Sequence, residues 1–309
     1  QIDLGKIAPS TIEWENYILG VLNEISLKTG NVRGFNCTIE SHLPIGSGVS
    51  SSAALECGLA YGLNELFDLG LSKLEIVELS QRAEHTYVGT KCGIMDQFAS
   101  VMSKAGNVIL LDCESLEYKY IPIDLAPYKI LMLNTNVSHN LASGEYNTRR
   151  AECESGVALL KKRHPEVNSL RQATEAMIME HKQVMGEKVF NRCLYIVQEK
   201  ERVLAAVDAL KANDLKKLGS LLYQTHDGLS RLYEVSCPEL DFLVEFSKTY
   251  DAVLGARVMG GGFGGCTINL VHRDAVEDYI QKASKAYKEK FNIELTAFEA
   301  LPSEGTSVK

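Results

Sequence analysis

The sequence predicts an α+β fold in two domains, and three observations carry that prediction. The chain is 309 residues long, more than one small core accommodates. Helical and strand periodicities are mixed without the strict βα alternation of a doubly wound sheet. A Pro- and Asp-bearing stretch, Pro122, Asp124 and Pro127, separates two differently patterned halves. It predicts domains at residues 1–125 and 126–309.

The elements follow in order. Ser10-Thr11-Ile12-Glu13 has the spacing of a capping box. Trp14, Ile18, Val21, Leu22 and Ile25 then recur at helical intervals until Thr29-Gly30. Phe35, Cys37 and Ile39 alternate with Asn36, Thr38 and Glu40, predicting a half-buried strand that enters the loop from His42 to Gly48. From Ser50 a nearly all-apolar run, Ala53 to Phe67, predicts a core helix ending at Gly70. A second capping box, Ser72 with Glu75, opens a helix to about His85, and another begins near Gly93 with Met95, Phe98, Val101 and Met102. Strands are expected at 107–112, 117–123 and 129–135, and helices over most of 145–249. A strand–turn–strand follows at 252–271, then a helix to about Lys288 and a last strand from Ile293 to Leu301.

Charge and composition narrow the function classes. A net charge of −8, with no Lys/Arg run, argues against nucleic acid or an anionic membrane as partner. No apolar run reaches the roughly 18 residues that span a bilayer, and QIDLGKIAPS has neither the cationic nor the apolar part of a signal peptide. A soluble cytoplasmic protein with a small-molecule ligand is expected. The eight cysteines form no C-x-x-C pair and the histidines no H-x-H or H-x-x-x-H pair, so neither disulfides nor a His-based metal site is expected.

Four stretches carry candidate chemistry. Gly46, Ser47, Gly48, Val49, Ser50, Ser51, Ser52 and Ala53 join a glycine turn to a helix start. This is either a serine-capped turn or an anion cradle in which backbone approaches phosphate and the helix dipole favours it. No Gly-Lys-Ser/Thr follows, so it is not a Walker A loop. Glu84, late in its helix, is a solvated surface residue or a hard oxygen ligand for Mg²⁺. Asp96, in the first turn of its helix, is a dipole partner or a group that accepts a hydroxyl proton. Gly260 to Gly265, GGGFGG, matches G-x-G-x-x-G, yet a strand-like run from Cys266 follows where a dinucleotide fold needs a helix. It is therefore a hairpin that permits close approach to a ligand or to the first glycine loop.

Together these stretches resemble the GHMP kinase superfamily, named for galactokinase, homoserine, mevalonate and phosphomevalonate kinases. Pro44 to Ala53 resembles its second motif and Gly260 to Gly265 its third. The galactokinase branch is resembled at Ala83-Glu84-His85, at Cys92 to Phe98, at Leu111-Asp112-Cys113, at Ser143 to Arg150, at Tyr233 to Leu240 and through Thr267. The resemblance implies an N-terminal domain like domain 2 of ribosomal protein S5 and a ferredoxin-like C-terminal one. It implies ATP-dependent phosphorylation of galactose at its anomeric hydroxyl by a monomer. A kinase of N-acetylgalactosamine or arabinose, or a galactose-responsive regulatory relative, is the alternative. By the same resemblance Gly46 to Ala53 cradle ATP, Ser52 and Glu84 flank Mg²⁺, and Asp96 faces the sugar hydroxyl. Gly93 and Tyr146 would contact the sugar. The family's first motif, Gly-Arg-x-Asn-Leu-Ile-Gly-Glu-His-Thr-Asp-Tyr, has no counterpart here. The 309 residues are thus expected to be an N-terminally truncated, inactive portion of an active protein, short by roughly 70 residues.

Overall fold

The computed structural model describes residues 2–30, 32–44, 46–138 and 142–308, so Ile45 of the glycine loop and His139 lie outside the described residues. The described residues form two compact units. One contains the chain up to residue 123, apart from 46–48, together with 301–308; the other contains 46–48 and 124–300.

The first unit is built on four helices, α1 (Glu13–Thr29), α2 (Ser51–Phe67), α3 (Lys73–Ala83) and α4 (Met95–Met102). Each contributes its apolar stripe to one core: Val21, Leu22 and Ile25; Cys57, Ala60 and Leu63; Ile76 and Leu79; Phe98 and Val101. Removing these side chains from water is the main force holding the helices together. A hairpin, β1 (Asn107–Leu111) with β2 (Tyr118–Pro122), completes the unit, and the terminal segment returns to it. There Gly305 N–H donates to Ser103 O at 2.8 Å and Thr306 N–H to Ser100 O at 2.9 Å. A linear division of the chain does not anticipate that return.

The two expected capping boxes come out differently. At α3 the Ser72 Oγ accepts from Glu75 N–H at 3.3 Å and the Glu75 carboxylate accepts from Ser72 N–H at 2.8 Å. At α1 the N-cap is Ile12, without a side-chain cap, and Ser10 Oγ instead donates to Glu15 at 2.6 Å. Two more expectations change. Residues 32–40 form no strand, because alternation supplies β-propensity but a strand needs a neighbour for its N–H and C=O groups, and among the described residues no strand pairs with it. Helix α2 buries one face only. Ala54, Leu55, Gly58 and Leu66 of its other face line an open cleft of about 500 Å³ with Phe35 to Glu40. The helix expected to reach His85 ends at Ala83 and passes into a π-helical turn, Glu84–Val88.

A prediction arises at α3. Lys28, at 2.8 Å, and Ser72 hold the Glu75 carboxyl down at about 2. Its contribution is therefore present above the unfolded carboxylate value and is lost as pH falls toward 2. Ser72→Ala is expected to destabilise the protein by about 1 kcal/mol in urea unfolding at neutral pH, and by less near pH 3.

In the second unit the sheet order is β4-β5-β3-β6, with every pairing antiparallel: β3 (Tyr128–Ser138), β4 (Val253–Val258), β5 (Gly264–His272) and β6 (Thr296–Ala300). Leu131, Leu133 and Val271 of the sheet pack with α9 (Pro238–Lys248) and α10 (Val276–Phe291) through Leu243, Tyr279, Ala283 and Tyr287. Helices α5 (Ala142–Leu160), α6 (Glu175–Glu180), α7 (Lys182–Lys211) and α8 (Leu215–Arg231) fill the intervening chain. Among the described residues no helix is long and apolar enough to cross a membrane.

Candidate active site

The start of α2 has an unusual, uncapped geometry. Its N-cap, Ser50, has left-handed backbone (φ 58°, ψ 49°) and gives no side-chain cap, and no basic or acidic residue completes the first turn. The first amides of a helix have no intrahelical acceptor, so those of Ser51, Ser52 and Ala53 project from the positive end of the dipole. A non-glycine residue in the left-handed region carries backbone strain, here located at the suspected site.

A carboxylate cluster lies beside that turn in the same unit. Ser52 Oγ is 3.5 Å from Glu84 Oε1, and Gln97 Nε2 donates to Glu84 Oε2 at 2.9 Å. Glu84 is only 7% exposed, so it is not the solvated helical residue that its sequence setting permits. The π-helical turn beginning at this residue widens the helix and displaces the side chain from an α-helical path. Glu56, one turn along α2 from Ser52, is fully buried, and neither of its oxygens has a hydrogen-bond partner. Burial, then the neighbouring Glu84 charge, pushes the Glu56 carboxyl up to about 10, so it is protonated at neutral pH. Burial also raises Glu84, with the Asp96 charge adding to it. The Ser52 hydroxyl and the buried Glu84 carboxylate are hard oxygen donors set side by side, and they fit a divalent cation such as Mg²⁺.

Asp96 occupies the first turn of α4, as expected, and is half-buried; the N-cap Ile94 supplies no side-chain cap that would compete for the turn. The preceding loop is pinned, because His85 Nε2 and Gln81 Nε2 lie 2.7 and 3.2 Å from Cys92 O. Gly93 follows that anchor at an exposed position. Ser52, Glu84 and Asp96 are thus brought into one neighbourhood. Glu56 and Gln97 join them; sequence reading gave Gln97 only as part of the Cys92 to Phe98 motif, with no role, and missed Glu56, although a glutamate inside an otherwise apolar helix was a signal.

In the second unit the glycine hairpin and residues 46–48 form a second construction. Ser47 is buried, and its carbonyl accepts from Cys266 N–H at 3.0 Å, so this serine anchors the loop. Gly48 (φ 77°) and Gly260 (φ 67°) face each other. A Cβ on Gly48 would lie 2.9 Å from Met259 O, and one on Gly260 would lie 2.8 Å from Gly48 O. Only glycine permits this approach at positive φ. The opposite side of the hairpin is fastened by Phe263 N–H, which donates to Val235 O at 2.6 Å.

Residues 232–235 are held in turn by buried arginines. Arg149 Nε donates to Tyr233 O at 2.8 Å and its NH2 to Glu234 O at 3.0 Å. Arg192, fully buried, pairs with Glu152 at 3.0 Å and Glu234 at 2.5 Å and donates to Leu232 O. Sequence reading singled out Ser143 to Arg150 and Tyr233 to Leu240 as motif text; this network is a physical reason for them. It missed Glu152 and Arg192, which lie outside any local pattern. Tyr146 lies on α5 in the same unit, close to Gly261.

Comparison with known proteins agrees in kind. Residues 16–104 match the GHMP kinases N-terminal domain and 206–289 the GHMP kinases C-terminal domain. The chain is 41% identical over 297 residues to a galactokinase of Thermosipho africanus, covering 96% of this chain and 82% of that protein. It is 40% identical over 293 residues to a galactokinase of Thermotoga maritima, covering 95% and 81%. The crystal structure of Lactococcus lactis galactokinase complexed with galactose superimposes with TM-score 0.92 at 32% identity, over 99% of this chain and 79% of that one. A mevalonate kinase crystal structure shares the fold, with TM-score 0.60 at 18% identity, over 98% and 82%.

Proposed function

Because the chain belongs to the galactokinases of the GHMP kinase family, we propose that the site at the start of α2 performs the phosphoryl transfer of that family, from ATP to the anomeric hydroxyl of galactose. The family is one of ATP-dependent sugar phosphotransferases with the two-domain GHMP kinase fold. The observation that carries the assignment of roles is the uncapped, left-handed entry to α2, with Ser52 Oγ 3.5 Å from the buried Glu84.

In this reading the amides of Ser51, Ser52 and Ala53 bind terminal phosphate oxygens, where the helix dipole offsets their charge. Gly46, Ser47, Gly48, Val49 and Ser50 shape the loop, with the glycines letting its backbone reach the polyphosphate. Ser52 and Glu84 would hold Mg²⁺, which when bound neutralises charge on the phosphates. Asp96 orients the anomeric hydroxyl and accepts its proton as the O–Pγ bond forms and the bond from Pγ to the departing ADP breaks. Gly93, through its backbone, and Tyr146 contact the sugar. Little covalent chemistry is asked of the protein, so alignment and charge placement supply most of the rate. A cytoplasmic monomer belongs to the same reading; the eight free cysteines suit a reducing compartment, and sedimentation tests the monomer.

The deciding experiment is ADP release by the full-length protein with a panel of galactose, N-acetylgalactosamine, arabinose, mevalonate and homoserine. Galactose is expected to be preferred by at least about tenfold, a discrimination reachable by hydrogen-bond readout of a hydroxyl. Equal turnover of another acceptor would overturn the substrate assignment. For the metal role, Ser52→Ala is expected to raise the Mg²⁺ concentration needed for half-maximal rate by roughly tenfold while leaving the melting temperature nearly unchanged. An unaltered Mg²⁺ requirement would remove Ser52 from the cation.

A further inference from the structure

The structure brings together two histidines that no local spacing connects. One donor atom from each of His164, Glu180 and His181 lies within 4.8 Å of the others. His164 belongs to the segment between α5 and α6, and His181 is at once the C-cap of α6 and the residue before α7. Their rings meet edge to face with centroids 5.5 Å apart.

The arrangement of free and occupied atoms is that of a ligand set. His181 is 4% exposed, and its Nδ1 lies 2.9 Å from Met177 O, a contact that fixes the proton on Nδ1. Its Nε2 is buried with no hydrogen-bond partner, whereas the buried Nε2 of His164 lies beside the Glu180 carboxylate. A buried ring nitrogen without a partner is unfavourable, and that of His181, set beside a histidine–carboxylate pair, requires an explanation. Glu180 Oε2 lies 3.5 Å from His164 Nε2, while Arg163 NH1 holds Oε1 of the same carboxylate at 2.7 Å. Thus Met177 O orients one ligand and Arg163 another, the outer support that metal ligands usually have.

We propose that His164, Glu180 and His181 form a binding site for a borderline divalent transition metal such as Zn²⁺, separate from the phosphoryl-transfer site. Two neutral imidazoles and one carboxylate suit Zn²⁺ rather than Mg²⁺, which prefers oxygen donors alone. Ligand-to-metal distances of about 2.0–2.2 Å place tetrahedral donors roughly 3.4 Å apart, so modest side-chain rotation closes the set. Glu180 is 45% exposed, which leaves the fourth position open to water. The bound metal would clip the segment after α5 to the α6–α7 junction. Its effect is on stability, not on the chemical step.

The test uses the protein stripped with a chelator and then titrated with Zn²⁺ alone, or with Mg²⁺ alone, by calorimetry and thermal melting. Zn²⁺ is expected to bind at one equivalent and raise the melting temperature, with Mg²⁺ producing neither effect at this site. His164→Gln and Glu180→Gln, on side chains 22% and 45% exposed and therefore less prone to misfolding than a change at His181, should each weaken Zn²⁺ binding at least about tenfold. Circular dichroism confirms that they are folded, and galactose turnover should be unchanged in both. Absence of saturable binding, or binding undiminished in both variants, as surface cysteines such as Cys37 and Cys113 would give, overturns the site.

Discussion

Replacing Asp96 by asparagine is expected to lower kcat by a factor of about 10² or more, with the melting temperature and the KM for ATP little changed. The substitution keeps the shape of the side chain and removes its charge and its ability to take a proton. Asp96 stands in the first turn of α4, where no N-cap side chain competes for the helix amides. It lies near enough to Glu84 for its charge to add to the effect of burial on that carboxyl. Asparagine at this place can still accept a hydrogen bond from the sugar hydroxyl, so binding should persist while transfer slows. Steady-state ADP release by the full-length protein with saturating galactose measures it; turnover close to the parent protein's would remove Asp96 from the catalytic role.

The largest structural effect is expected at Arg192. Arg192→Ala should destabilise the protein by about 3 kcal/mol, because it removes a fully buried side chain and its bonds to the nearly buried Glu152 and to Leu232 O, while the half-exposed Glu234 regains water. The side chain is fully buried and bonds to Glu152, Glu234 and Leu232 O. Those contacts hold the segment whose Val235 carbonyl receives Phe263 N–H of the glycine hairpin. Loss should therefore extend beyond the arginine and loosen the hairpin, seen as faster amide exchange at Phe263. Urea unfolding gives the energy, and a loss below about 1 kcal/mol would show that the cluster contributes little net stability.

How legible the molecule was depended on the range of the interactions. Helix α3 and its capping box were readable because Ser72 and Glu75 satisfy each other within one turn, and strands β1 to β6 because short runs rich in apolar and β-branched residues are bounded by turn residues. The cap expected at Ser10 failed since Asn16 and Glu15 offer that serine and its backbone competing partners, at 2.7 and 2.6 Å. Residues 35–39 have the pattern of a strand, but pairing is a property of two segments, and a single one does not disclose its neighbour.

From the sequence alone came the class of fold, the order of elements apart from the strand expected at 35–39, the glycine loop with its serine helix start, and the placement of Asp96 in a first turn. Each is decided by neighbours a few residues apart, through periodicity, capping and the conformational freedom of glycine. Tertiary structure alone decided that Glu84 is buried against Ser52 and Glu56, that Arg192 fastens the segment behind the hairpin, and that His164 meets His181. Those are contacts between residues distant in the chain. Burial and charge pairing there are set by which surfaces the packed core brings together, and no local pattern encodes that.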